Sequence, residues 1–434
     1  MVFLVKSGET FQKEIFNLCQ RLISEEKFPS SFDKTTLHQI YKGKGCREIL
    51  SNSRFIHSKD WLPRTCDFLV VEKIKPCIIK GTSKFQIGGI EKHRPQEHLF
   101  VVKSILGLFA DLNKSVIFQL YDIQKYFDKE NLRDAMNTLF EVGVDPKMYR
   151  VWFNLNKNTV IRVKTGSGHS EWAEAGELIG QGTGGGALVS SINLDKGMEE
   201  FFKGSGDEIN YGEVWLQPLM FQDDVVRLTD SVHAARAGNT RIMNVVKLKQ
   251  LEMHPEKTGI IVWGDKEVIM KELENEPIVF NDFVTLPKVQ DKWLGEIFHM
   301  DGLGASVNAT IEERAGRIKA SAREIVSVTE DFRMQAIGGA MGALDLWEAA
   351  VLPALMYNSE TWVEITPNSI ETLEEIQNYF IRCLPQVQVS TPKPALLSET
   401  GLISMENRIW VKKLIFVNCL KYMPDESLAK QIHS

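Results

Sequence analysis

Ser115-Val-Ile-Phe-Gln-Leu-Tyr-Asp122 is an apolar run that ends on a carboxylate, and Phe221-Gln-Asp-Asp224 sets two adjacent carboxylates between the apolar runs Trp215–Phe221 and Val225–Leu228. The first stretch reads as a strand, Val116–Asp122, whose last residue stands at a sheet edge on firmly held backbone. The second reads as a hairpin with an acidic tip. Adjacent aspartates repel each other, and burying them unpaired is expensive, so the tip needs a cation or open water. Asp-Asp in a solvated turn is common; a third carboxylate ending a separate strand changes its meaning. Three carboxylates on neighbouring strands can hold two divalent cations about 3.5–4 Å apart, one activating a hydroxyl and the other bracing a leaving pyrophosphate. Asp122, Asp223 and Asp224 are the candidate ligands for such phosphoryl-transfer chemistry.

Outward from these strands the text alternates. Glu9–Glu25 reads as an amphipathic helix, with Phe11, Ile15, Leu18 and Leu22 at helical spacing, broken by Phe28-Pro29-Ser30-Ser31. Short strands at Leu37–Tyr41 and Arg54–Ile56 flank Lys42-Gly-Lys-Gly45 as a hairpin. Helices are expected at His98–Ala110, Asn131–Glu141 and Pro146–Leu155, and a second hairpin starts at Thr159–Lys164 and turns at Gly166-Ser167-Gly168. The Gly-rich run Gly180–Gly186 opens a helix at Ala187–Phe202. Interleaving without a strict βαβ rhythm gives an α+β fold with helices packed on one face of the sheet. After about residue 305 strand signals vanish. Ile311–Ile325, with Ala315, Ile318, Ala322 and Ile325 on one face, Pro353–Trp362 and Leu373–Cys383 read as helices of a separate domain.

With 434 residues, 43% hydrophobic and 25% charged, the chain has ordinary globular composition and length for two or three domains. The net charge of −6 is unevenly spread. Residues 1–100 carry 17 Lys/Arg against 11 Asp/Glu, which leaves −12 on the remaining 334. A basic region beside an acidic remainder suits a protein that grips phosphates at one end and gathers carboxylates elsewhere; solvated surface charge accounts for the count equally well. The six cysteines are scattered with no Cys-x-x-Cys pair, so free thiols are expected rather than a zinc module or a disulfide framework. Met1–Thr10 shows neither a secretory signal nor a membrane span, so an intracellular, nuclear or cytoplasmic protein without membrane contact is expected.

The ordered set Tyr121-Asp122-Ile-Gln-Lys-Tyr-Phe127-Asp128, Ile179-Gly-Gln-Gly182, Phe221-Gln-Asp-Asp224, Pro255-Glu-Lys257-Thr258 and Lys292-Trp-Leu-Gly295 resembles the successive palm motifs of reverse transcriptases, those of non-LTR (LINE-type) retrotransposons above all. Upstream, Phe28-Pro29, Lys42-Gly-Lys-Gly45, Asn52-Ser-Arg54-Phe-Ile56 and Phe85-Gln86-Ile-Gly-Gly89 are similar to the finger motifs of that group, and the likeness covers roughly residues 8–300. It implies a right-hand polymerase: an N-terminal extension and fingers over 1–110, a palm with an antiparallel sheet and packed helices over 111–305 with interleaved finger segments at about 140–180, and a helical thumb over 306–434.

The resemblance also implies roles. Asp122 and Asp223 would be the principal ligands of two Mg²⁺ ions, with Mn²⁺ as a substitute, and Asp224 would support them. Phe127 falls where these enzymes place an aromatic that blocks a ribose 2′-OH, which favours dNTPs; a core aromatic is the plain alternative. Gln181 and Gly182 would let nucleotide and template approach the backbone closely. Thr183-Gly-Gly-Gly186 departs from the family pattern, and a looser loop is expected there. Lys42 or Lys44, with Arg54, would clamp the triphosphate, although lysines in a glycine turn are usually plain surface. Lys257 would protonate the departing pyrophosphate. Trp293, Leu294 and Gly295 would form a primer grip, or simply core. Arg314, Arg317 and Lys319 on a thumb helix would track the duplex backbone or form a solvated face. RNA template, DNA primer and dNTPs are the implied partners. Two further readings stay open: a decayed or domesticated retroelement protein that only binds RNA, and an RNA-templated RNA polymerase.

Overall fold

The computed structural model describes residues 6–434 apart from 44, 167, 178, 281–282, 332–339, 385–387 and 389, with backbone alone at 51, 128, 320–323, 325–331 and 340. Lys44, Ser167 and the side chains of Ala322 and Ile325 therefore lie outside the described residues. In chain order, α1 (Glu9–Glu25), β1 (Lys34–Tyr41), β2 (Ser53–Lys59), α2 (Trp61–Gly81) and α3 (Pro95–Asp111) lead into β3 (Val116–Asp122). Next come α4 (Leu132–Glu141), α5 (Pro146–Asn156), β4 (Thr159–Thr165), β5 (Gly168–His169), β6 (Ala173–Gly176) and α6 (Gly186–Phe202). The short strands β7 (Ile209–Tyr211), β8 (Val214–Leu216) and β9 (Leu219–Phe221) precede β10 (Asp224–Thr229), α7 (Val232–Leu248), β11 (Gly259–Trp263) and α8 (Lys266–Asn275). Two hairpins, β12 (Ile278–Phe280) with β13 (Phe283–Thr285) and β14 (Gln290–Trp293) with β15 (Glu296–His299), close the strand-bearing part. Beyond it the described chain is helical, with α9 (Leu303–Asp331), α10 (Pro367–Cys383), α11 (Met405–Lys421), α12 (Leu428–His433) and shorter helices between.

The central sheet has the order β11-β3-β10-β9, antiparallel throughout. Its middle strand, β3, is rich in β-branched and aromatic residues and buries every side chain from Val116 to Tyr121. Such a run needs cover on both faces. On one, Phe118 meets the rings of Trp263, Trp293 and Phe298 at centroid distances of 5.5, 6.1 and 4.9 Å. On the other, Tyr121 meets Phe280 at 5.7 Å and the Gln119 amide donates to the Ala235 carbonyl of α7. The α+β class with an antiparallel sheet is what the sequence leads one to expect. The expected helix layer is supplied by α7, and the β14–β15 hairpin covers the other face.

The expected half-strand Trp215–Phe221 is also corrected. Gln217-Pro218 splits it, so that β8 pairs with β7 and only β9 pairs with β10; proline has no N–H for the ladder. Gln222 and Asp223 alone turn β9 into β10, with Gln222 at φ 60°. That left-handed first position usually takes glycine, and a side chain held there marks a turn fixed by its surroundings. A second sheet runs β2-β1-β4-β5, with β6 also on β4. The two hairpins expected at its ends form, and they merge through a parallel β1–β4 pairing from Lys34↔Val160 to His38↔Lys164.

α6 ties two cores together. Val189 and Ile192 pack with Cys19, Ile74, Leu139 and Trp152 of α1, α2, α4 and α5, whereas Leu194, Met198 and Phe202 join the central-sheet core. A third core is wholly helical, with Trp347 stacked on Phe380 at 4.3 Å. Each fully buried side chain of this size contributes about 1.5–3 kcal/mol. The helical region seats on β14–β15 through buried polar groups. Lys103 of α3 pairs with Glu296 of β15, and Lys103 also donates to the Thr361 carbonyl and hydroxyl at 3.1 Å each. Arg314, expected to face a duplex or solvent, is 3% exposed and donates to the Tyr357 and Gly295 carbonyls at 2.6 and 2.8 Å. Arg317 and Lys319 remain exposed, Arg317 with Glu313 as its partner. The helix expected at Pro353–Trp362 stops at Leu355; Asn358 turns at φ 62° into a short 3-10 turn at Ser359–Thr361. All six cysteines are free, and no helix among the described residues is long and apolar enough to cross a membrane.

Candidate active site

In the β3–β10 ladder Asp122 and Asp224 are direct register partners, and Asp223 occupies the turn beside them. Partners in an antiparallel pair have Cα atoms roughly 4.5–5.5 Å apart with side chains on one face. Burial raises the proton affinity of Asp224 to about 7, the charges of Asp223 and Asp122 add to it, and Lys257 and Arg54 oppose it. Asp223 is shifted upward by burial too; its own backbone N–H works against that shift, and Asp122 adds to it. The Lys257 ammonium lies 3.1 and 3.3 Å from the two Asp122 carboxylate oxygens. Its loop is fastened where the His254 N–H donates to the Asp122 carbonyl at 2.8 Å. Asp122, Asp223, Asp224, Lys257 and Arg54 are thus brought together. Lys42 is exposed on the β1–β2 loop, its backbone N–H on the Asn52 carbonyl.

The acidic turn is held from below by residues whose role leaves no pattern in sequence. Gln86 Oε1 accepts from the backbone N–H groups of Gln222 (3.0 Å) and Gly88 (2.8 Å), and Nε2 donates to the Gln222 carbonyl at 3.1 Å. A Cβ on Gly88 would collide with the Gln222 backbone, so only glycine permits this approach. His98 Nε2 sits 3.0 Å from the Phe85 carbonyl and 3.1 Å from that of Met220, and burial lowers its pKa to about 4, so the ring is neutral and donates between them. One amide and one imidazole therefore lock the strand that presents Asp223.

Gln181 and Gly182 pack against β2. The His57 N–H donates to the Gln181 carbonyl at 2.7 Å, and Gly182 takes φ 102° against Ile56. The glycines that follow are pinned, not loose: the Gly184 N–H donates to Asp67 Oδ2 at 2.8 Å, and Gly185 lies against Val71 and Trp152 with no room for a side chain. Phe127 is partly buried, edge-on to Tyr126 at 5.6 Å. Tyr126 lies within the electrostatic reach of Asp223 and donates to the Ser190 carbonyl at 2.7 Å. Trp293 is 4% exposed and stacks on His98 at 6.5 Å, inside the core. Leu294 and Gly295, at φ 46° and 82°, form the two-residue turn of β14–β15, a primed hairpin turn.

Among the described residues no group of three or more His, Cys, Asp and Glu side chains converges to hold a metal ion as they stand. The chemistry of Asp122, Asp223 and Asp224 nonetheless fits a hard cation: the donors are all carboxylate oxygens, they repel one another, and Asp122 already carries an ammonium ion. A stability test follows. A carboxyl held at about 7 when folded and at about 4 when unfolded keeps its proton in the native state across that window, so its burial costs nothing near pH 4 and the full amount above pH 7. The unfolding midpoint should therefore fall between pH 5 and pH 8, and millimolar Mg²⁺ should restore it at pH 8. Asp224→Asn should reduce both responses, the rest of the slope coming from Glu130 and Asp195, which burial raises to about 7 and about 6; a variant with the wild-type pH slope would refute the assignment.

A fold and site of this kind, carboxylates at the ends of two inner strands of an antiparallel sheet with a lysine and an arginine beside them, has the chemistry to hold phosphates and a divalent cation together. No protein-family model and no curated protein matches the chain. Solved structures similar to it include apo telomerase from Candida tropicalis, at 10% identity over 98% of this chain and 68% of that one with a TM-score of 0.46. Telomerase from Candida albicans in complex with a TWJ fragment of telomeric RNA is 11% identical over 96% and 68%, with a TM-score of 0.40. Candida tropicalis telomerase truncated of its C-terminal domain is 11% identical over 63% and 55%, with a TM-score of 0.41. The chain spans between 55% and 68% of the length of these three.

Proposed function

We propose that the chain is an RNA-dependent DNA polymerase of non-LTR retroelement type. The observation that carries this reading is the register pairing of Asp122 with Asp224 beside Asp223, faced by Lys257 and Arg54. In the reaction the primer 3′-oxygen bonds to the α-phosphorus of a dNTP, and the bond from that phosphorus to pyrophosphate breaks. Two Mg²⁺ ions, or Mn²⁺, held by Asp122, Asp223 and Asp224 would supply hydroxyl activation and charge stabilisation. Arg54 would offer a bidentate fork to the triphosphate, and Lys257 would give a proton to the leaving pyrophosphate once it releases Asp122.

The sheet face that carries Arg54 supports a nucleic-acid partner. Through the register pairs Ile40↔Arg54, His38↔Lys164, Thr36↔Arg162 and Lys164↔His169, it also presents His38, Arg162, Lys164 and His169. The Arg162 guanidinium and the Lys34 ammonium lie over Trp172 at 4.6 and 5.3 Å. Basic groups with an aromatic among them suit a single strand, here the RNA template.

Primer extension by the purified chain on an RNA template, with dNTPs or NTPs and Mg²⁺, tests the reading. Product is expected with dNTPs. Phe127→Ala should narrow the preference for dNTP over NTP by roughly tenfold or more, the scale of one removed contact; unchanged discrimination would mean that Phe127 is core only. A second reading, a protein that binds RNA without catalysis, is favoured by the Lys257–Asp122 pair and by the lack of a ready three-carboxylate cluster among the described residues. Template binding without any extension would decide for it.

A further inference from the structure

Below the Phe85–Gly88 segment, between the end of α2, the start of α3 and α12, lies a cavity of about 500 Å³ that the polymerase reading does not use. Its size is that of a small-molecule site. Ile79, Ile87, Ile90 and Leu428 make much of its wall apolar, and Lys84 is its one lining lysine. The Lys84 ammonium donates to Gln431 Oε1 at 2.6 Å and lies 5.5 Å from the Phe85 ring, and among the described residues no carboxylate pairs with it. Glu97, also in the wall, is already committed to His93 at 2.7 Å and to the Arg94 N–H at 2.8 Å. Glu426 is an exposed rim residue. The cavity thus offers apolar surface with a cation that lacks an anionic partner.

Two of its lining residues are Gln86 and His98, the same side chains that fasten Gln222 and Met220. We propose that this cavity binds a small amphipathic acid, its apolar body among the isoleucines and its anionic head on Lys84, and that occupancy steadies the Gln222-Asp223 turn through Gln86 and His98. The binding half stands without the polymerase reading; the importance of the turn rests on it.

Anilinonaphthalene sulfonate has this chemistry and reports its own binding by fluorescence. Titrated into the full chain, it should saturate at one principal site, with decanoate displacing it and decylamine failing to. Lys84→Gln should weaken it by tenfold or more, and Ala429→Trp, which fills the cavity, should remove that site; Ala429 is 2% exposed and lines it. Backbone amide exchange at Met220 and Gln222 should slow at least threefold with saturating decanoate in the wild type and not in Lys84→Gln. Wild-type affinity in both variants, or equal displacement by decylamine, would overturn the site, and unchanged exchange would overturn the coupling. Failure of primer extension alone would leave dye binding intact, so the two readings fail separately.

Discussion

Asp223→Ala is expected to abolish primer extension, by on the order of 10³-fold or more, the scale lost when a group preorganised against transition-state charge is removed. The turn itself should survive. Gln86 grips the backbone of Gln222 through both its N–H and its carbonyl, so deleting the neighbouring carboxylate removes charge without releasing the strand. Asp223 also raises the proton affinity of Asp224 by repulsion, and its loss relieves that cost. The variant should therefore unfold at the wild-type temperature or slightly above it in the absence of divalent cation, a trade of stability against activity that reactive sites often show. Template binding should be unaffected, since it is assigned to the basic groups of the β2-β1-β4-β5 sheet, which the substitution leaves in place. Full extension activity in this variant would end the catalytic proposal.

Lys103→Ala should be the most damaging single change away from the site, at about 3–5 kcal/mol, because it leaves a buried carboxylate without its cation. Lys103 and Glu296 have side chains 4% and 3% exposed. Glu296 would keep the Trp362 indole N–H, at 3.1 Å, and the more distant charge of Arg314 in place of its direct ion pair. The double change Lys103→Met with Glu296→Leu should recover most of the loss, since well-packed apolar replacements of a buried pair are often neutral or better. Chemical denaturation followed by tryptophan fluorescence checks both, with Trp293 and Trp362 on either side of the joint. Equal losses in the single and double variants would show that packing volume, and not charge, governs this junction.

Much of the site was legible because its chemistry breaks a local rule: carboxylates at the ends of apolar strands demand a reason. The ladder Asp122↔Asp224 bears out the two strands that carry them. Other features left weaker traces. Gln86 is a neutral amide bonded to backbone, which no periodicity reveals, and Gly88 reads as one glycine among many until Gln222 is seen against it. Arg314 sits in a basic helical stretch that looks solvated, but its partners are carbonyls of turns close in space and remote in sequence. The helix α2 escaped because Cys66, Val70, Ile74 and Ile78 keep helical spacing but Trp61, Phe68 and Ile79 put apolar side chains on its exposed faces as well, and Pro76 stands inside it, which together blur the period. The pinned Thr183–Gly186 loop was misread for a related reason: glycines that signal freedom in isolation here allow close packing on Asp67 and Trp152.

The parallel β1–β4 pairing has a consequence for synthesis on the ribosome. β1 and β2 can zip as soon as residue 59 is out, but the partner for the other edge of β1 is not made until residue 164. At about 5–20 residues per second, that edge stays open for on the order of ten seconds. An unpaired strand edge is a template for joining a second nascent chain. The lysines at both ends of this stretch, Lys34 and Lys42, are exposed and place charge where such a neighbour would have to dock, so surface charge on this sheet also guards the chain while its synthesis is under way.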